Sequence, residues 1–191
     1  NALIINRRLP ENGDVTYRTF GLEATTNQVD YKINPRKGYR FSINGSVSFR
    51  NVIKNETVEA TFDPILAIPF SYLYDSVRLK SYKYSVRSQL SYFHPITKRS
   101  VLSATYQGGL TFSSDALYRN ELYQIGGFRL LRGFDEGSLF VNSYHVLTIE
   151  PRYLLSLNSY FFLFSDIANI QSKYLQFSSS TFALSTGGGM L

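Results

Sequence analysis

Long stretches of this chain alternate apolar and polar side chains. Between Tyr39 and Arg50, one set reads Tyr39, Phe41, Ile43, Gly45, Val47, Phe49 and the other Arg40, Ser42, Asn44, Ser46, Ser48, Arg50. From Ser81 onward, Ser81, Lys83, Ser85, Arg87, Gln89 and Ser91 oppose Tyr82, Tyr84, Val86, Leu90 and Tyr92. A third stretch sets Leu102, Ala104, Tyr106, Leu110 and Phe112 against Ser103, Thr105, Gln107, Thr111 and Ser113. A period of two puts successive side chains on opposite faces of an extended chain, which a helix cannot do. Each stretch is therefore a two-faced strand, and a protein built from such strands has to give the two faces different surroundings.

The pattern predicts strands over roughly 2–8, 15–31, 39–50, 77–93, 100–112, 144–156, 160–170 and 180–191. Short turns fall at 34–38 (NPRKG), 94–99 (HPITKR) and 157–159 (LNS), with long loops at 51–76 and 113–143. Strands of about ten residues or more, joined alternately by short turns and long loops, are what an antiparallel barrel crossing a membrane requires. Closure removes the strand edges that hydrocarbon cannot satisfy. A soluble sandwich or lipocalin-like barrel also alternates. Two features favour the membrane. The polar faces carry Ser, Thr, Gln, Asn and Arg, as a water-filled lumen would, and Tyr31, Tyr39, Tyr92, Phe93, Tyr160 and Phe161 flank the short turns like an interfacial girdle. The expected fold class is all-β, a transmembrane antiparallel β-barrel.

Composition narrows the function. The 15 Tyr and 15 Phe favour strands over helices. With no cysteine there is neither a disulfide framework nor a thiolate metal site, which also suits passage through an oxidising periplasm. The two histidines, His94 and His145, are too few for a metal cluster or triad. No catalytic residue, metal or cofactor is expected. The net charge of +6 could signal nucleic acid, but the basic residues are scattered singly, so no nucleic-acid partner is expected. No apolar run approaches the ~18 residues of a membrane helix. The sequence opens within the strand pattern and closes on STGGGML, and the expectation is a fragment of a longer barrel.

One segment interrupts the alternation: IGGFRLLRGFDEGSLF, residues 125–140, inside the second long loop. It holds Gly126, Gly127, Gly133 and Gly137, with Arg129 and Arg132 ahead of Asp135 and Glu136. By the short-turn and long-loop rule, this loop belongs to the extracellular side.

IGGFRLLRGF resembles the loop motif of the outer-membrane assembly-pore superfamily, which includes BamA, TamA and the two-partner-secretion transporters. That family's second signature, Phe-x-Asp-x-Gly, is matched by Phe164 and Asp166, with Ala168 in place of the glycine. The family also carries an inward acid on the intervening strand, here Glu150. The resemblance implies that the loop at about 113–143 folds back into the barrel, with the motif Gly126, Gly127, Arg132, Gly133, Phe134 at its working end. It also implies that residues 1–191 are part of a barrel of about sixteen strands, about eight of them in this chain. The POTRA domains, the first strands and the last strands would lie outside it.

Strand register points to partners for the loop. Over 144–156, Thr148, Glu150 and Arg152 share one face; over 160–170, Phe162, Phe164, Asp166 and Ala168 do. Turning Leu147, Ile149, Leu163 and Ile167 toward lipid puts Glu150 and Asp166 in the lumen, where Arg132 could meet both. A planar guanidinium can hold a carboxylate through two bonds. Gly133 would permit a tight turn and Phe134 supply an apolar anchor, whereas Asp135 and Glu136 have no evident partner. Pro151 removes a ladder donor in mid-strand and suggests a local bulge.

The implied function is assembly of outer-membrane proteins in the bacterial outer membrane. The implied partners are the lipid bilayer and lipopolysaccharide, unfolded outer-membrane clients, and accessory periplasmic or lipoprotein subunits. A polypeptide-secreting transporter or TamA-like translocation module is the alternative within the superfamily, and a passive porin-like channel the alternative outside it.

Overall fold

The computed structural model describes residues 8–75, 77–175 and 177–191. Among the described residues there are nine strands: β1 (Asp14–Val29), β2 (Gly38–Ile53), β3 (Lys80–Pro95), β4 (Ser100–Ser113), β5 (Tyr123–Ile125), β6 (Leu139–Val141), β7 (Ser143–Leu154), β8 (Tyr160–Tyr174) and β9 (Phe177–Met190). Seven of them form one sheet in the order β1-β2-β3-β4-β7-β8-β9, and β5 and β6 pair separately inside a loop. Every pairing is antiparallel. The strand predicted at 2–8 lies outside the described residues, apart from Arg8, which is not in a strand. The sheet is a section of barrel wall, with β1 and β9 at its two edges.

The faces carry the chemistry that alternation prescribed, and in the sense a soluble protein would avoid. On one face Leu22, Phe49, Leu163, Phe182 and Leu184 lie exposed, Leu22 to 85%. On the other, Ser48, Ser91, Ser103, Thr111 and Asp166 are buried. An exposed apolar face running over seven strands far exceeds the few hundred Å2 tolerated in water. Lipid is the solvent that suits it, with the polar face turned to the lumen.

Several local expectations change. Phe93 and Tyr160 do not join an outer girdle, because they fall on the inward parity with Ser91 and Phe162. Phe93 is buried with Val101 and Leu154, and Tyr160 packs against them, an apolar patch on the inner face near the short turns. Tyr31, Tyr39, Tyr92 and Phe161 are exposed. Pro151 makes no bulge. The β7–β8 register is the same on both sides of it, Ile149 opposite Ser165 and Arg152 opposite Phe162, so no residue is inserted. The ladder toward β8 is simply interrupted at 150–151, while Pro151 stays opposite Leu102 on β4. β9 begins at Phe177 rather than near 180, so the connection from β8 is itself tight.

Both long connections carry secondary structure among the described residues. The first contains a short helix, α1 (Glu56–Ala60), and a 3-10 turn (Phe70–Tyr74), whose Val58, Phe70 and Tyr74 make a small core. The second carries β5 and β6 and is described below.

The β1–β2 turn is organised by one carboxylate. Asp30 Oδ1 accepts the backbone N–H groups of Tyr31 (3.0 Å), Arg36 (2.9 Å) and Lys37 (3.0 Å). Burial alone would raise the Asp30 pKa, but the Lys37, Arg36 and Tyr31 amides outweigh it and hold the carboxyl below its usual value. A depressed carboxylate contributes stability that is present above its unfolded pKa and lost as pH falls through the folded one. Amide protection at Tyr31, Arg36 and Lys37, measured by hydrogen exchange, is therefore expected to hold at neutral pH and to collapse only as pH falls through the depressed Asp30 value, below the ordinary aspartate value of about 3.9. Asp30→Asn should show the loosened turn already at neutral pH.

Candidate functional site

The hairpin β5–β6 carries residues 126–138 at its tip. Gly126, Gly127, Gly133 and Gly137 all have positive φ, at 112°, 94°, 89° and 63°. That region is closed to most side chains. At the first two, space is closed as well. A Cβ on Gly126 would lie 2.4 Å from the Asp135 carbonyl oxygen, and one on Gly127 1.7 Å from Glu136 Oε2. The tip is a tight fold in which Gly127 N–H donates to the carbonyls of Leu131 (3.1 Å) and Phe134 (3.0 Å). Asp135 and Glu136 thus meet the glycine pair through backbone and close packing, and neither makes an ion pair among the described residues.

Apolar contact holds the loop to the inner wall. Ile125, Leu131 and Val141 from the loop are buried with Tyr144, Val146, Ala168, Ile170 and Ala183 from β7–β9, and Phe134 packs against the same cluster. Small inward residues, Ala168 and Ala183, leave room for this approach. The alanine that replaces the motif's last glycine sits within that cluster.

At the centre is Arg132. Asp166 is fully buried and lies directly opposite Thr148 across β7–β8. Its Oδ2 accepts the Arg132 backbone N–H (3.1 Å) and Nε (2.9 Å), and its Oδ1 accepts Arg132 Nη2 (2.8 Å) and Thr148 Oγ1 (2.7 Å). Arg132 Nη1 donates to Glu150 Oε2 at 3.0 Å, while Arg152 Nε donates to Glu150 Oε1 at 2.7 Å. The guanidinium lies 3.6 Å from the centroid of the Phe164 ring. The loop motif and the strand residues Glu150, Phe164 and Asp166 are thus one contact network. Four bonds on one buried carboxylate satisfy it, which is the condition for burying a charge without large cost.

A second attachment escaped the sequence. Glu121, in a 3-10 turn (Arg119–Glu121) ahead of β5, reaches the opposite part of the wall. Its Oε1 accepts Arg50 Nε (2.7 Å) and the Tyr17 hydroxyl. Its Oε2 accepts Arg50 Nη2 (2.7 Å) and the Tyr118 N–H (2.7 Å). The Arg50 and Glu121 side chains are 0% and 1% exposed, a drier pair than Arg132 with Asp166. Lys83 Nζ donates to the Glu121 carbonyl at 3.2 Å. Arg50 is legible in the sequence only as the last polar residue of an inward face. Nothing in spacing joins it to a lone glutamate 71 positions away. The loop therefore spans the lumen face, giving an arginine to acids on β7–β8 and a glutamate to an arginine on β2.

The arrangement fixes a loop by charge. Among the described residues, no three His, Asp or Glu side chains are grouped to hold a metal ion.

Arg132→Ala leaves the buried Asp166 carboxylate with Thr148 alone, while Glu150 keeps Arg152, and should lower unfolding free energy by roughly 3–5 kcal/mol. Arg132→Lys, which keeps the charge but loses the fork, should recover part of that. Glu121→Gln should cost a comparable amount by leaving Arg50 uncompensated. Loss of the compact species on unheated SDS gels over a temperature series measures all three, with Lys173→Gln as an unaffected control.

Compared with known proteins, the sequence matches the model of one family, the Omp85 superfamily domain, over residues 5–190. No curated protein matches the chain.

Proposed function

Since the chain belongs to the Omp85 superfamily, a superfamily of outer-membrane β-barrels engaged in protein assembly or secretion, we propose that it is wall and loop of a BamA-like assembly pore. In this reading it receives unfolded outer-membrane proteins from the periplasmic side and helps them fold into the bilayer, without covalent chemistry or a cofactor. Lipid and lipopolysaccharide surround it, and accessory periplasmic or lipoprotein subunits deliver its clients.

The observation that carries the reading is the loop bound across the lumen face by buried ion pairs at both ends. A chain threaded through this space would have to displace both. Insertion into the membrane beside the wall leaves them intact. The loop then serves as a brace that holds wall curvature while the outer face works on lipid. A passive channel needs no loop tied to strand acids, and a secretion transporter needs a lumen that clears.

Proteoliposomes holding the full-length protein should shorten the folding half-time of a urea-denatured β-barrel client relative to empty liposomes. Arg132→Ala should reduce that acceleration. If clients fold no faster than in empty liposomes, while cells expressing the protein export a passenger polypeptide, the assembly reading fails in favour of secretion.

A further inference from the structure

Below the loop tip lies a cavity of about 300 Å3 whose charged lining is Arg40, Arg129, Arg132, Arg152 and Glu150. Its volume is at the small end of ligand pockets, ~300–1,000 Å3. Four arginines face one carboxylate, and that carboxylate is spent: Arg132 and Arg152 each occupy one of its oxygens, at 3.0 and 2.7 Å. Arg132 is further bound to Asp166.

Arg40 and Arg129 therefore remain without a carboxylate among the described residues. Arg40 Nη2 donates to the Lys32 carbonyl, but its Nε is buried with no partner. A buried guanidinium N–H left unpaired is costly, and an anion would relieve it. The Arg129 backbone carbonyl accepts from Gln107 Nε2 at 3.4 Å, while its exposed guanidinium makes no described contact. The floor is aromatic. Arg40 and Arg152 lie 5.7 and 5.6 Å from the Phe93 ring centroid, and Arg152 lies 4.8 Å from that of Tyr160. Neutral Gln89, Gln107 and Ser91 in the same wall offer donors and acceptors that suit a peptide backbone.

We propose that this cavity binds an acidic segment of a client polypeptide, Arg40 and Arg129 taking its carboxylates. The assignment deepens the proposed assembly function and rests on it for the nature of the ligand. The register supports the placement. Arg40 is two residues into β2 from the short β1–β2 turn, and Phe93 is opposite Ser103, in turn opposite Glu150. The site thus sits toward the short-turn end of the wall, the periplasmic end in such barrels, from which clients arrive. The loop tip, contributing Arg129, forms its roof.

The test uses the full-length protein in lipid nanodiscs and two fluorescein-labelled peptides of equal length, one Glu-rich and one with Gln at each of those positions. Fluorescence anisotropy should show the Glu peptide binding at least tenfold tighter. Arg40→Gln with Arg129→Gln should bring the two affinities together, while the folded species on unheated SDS gels stays unchanged. Equal binding of both peptides by the unaltered protein overturns the proposal, as does a preference that survives the double substitution. Displacement of the Glu peptide by inorganic phosphate at matched charge concentration would make this a small-anion site and overturn the peptide assignment. Client folding in proteoliposomes is read separately, so failure here and failure of the assembly function are distinguishable.

Discussion

A charge taken out of water has to meet its opposite at the same depth, and that requirement organises the inner face of this wall. Asp166 is buried in mid-strand, where an unpaired carboxylate would be costly, and the strands themselves supply only Thr148 to it. The remaining bonds come from Arg132, more than thirty residues distant in the chain. The loop in turn cannot reach Asp166 without the left-handed turns at Gly126, Gly127 and Gly133, nor lie flat without the small inward Ala168 and Ala183. Loop conformation, strand composition and lumen charge are thus parts of one solution.

The second pair extends the same logic with the signs exchanged. Glu121 brings the acid and Arg50 the cation, and both are drier than Arg132. Anchoring at two separated parts of the wall changes what the loop can be. Held only by its tip, it would be a flap; held at root and tip, it ties β2 to β8 across the strands between. That mechanical role agrees with a superfamily whose barrels handle other proteins, and it places the uncompensated arginines Arg40 and Arg129 in a sheltered space between loop and floor.

Much of this architecture is legible in the amino-acid sequence. Alternation locates the seven sheet strands in the described part of the chain, because a strand's two faces write themselves into the sequence every second residue. The four glycines of the loop and the inward parity of Glu150 and Asp166 are legible for the same reason: backbone conformation and face are local properties. Nearness to a turn misplaces Phe93 and Tyr160 in an outer girdle, although their parity already points inward. The bulge expected at Pro151 does not form, because a missing donor can be absorbed by a gap in one ladder when the neighbouring strand keeps register.

By itself, then, the sequence determined the strands, their two faces and the glycine-shaped loop between β4 and β7, all of which depend on neighbours a few residues apart. Strand register and the motif also pointed to Arg132 with Glu150 and Asp166, whereas tertiary structure alone decided that Arg50 pairs with Glu121 and that Arg40 and Arg129 meet no carboxylate among the described residues. Such choices depend on distance and burial between remote segments, and a charged residue's letter carries no mark of which opposite charge will share its depth.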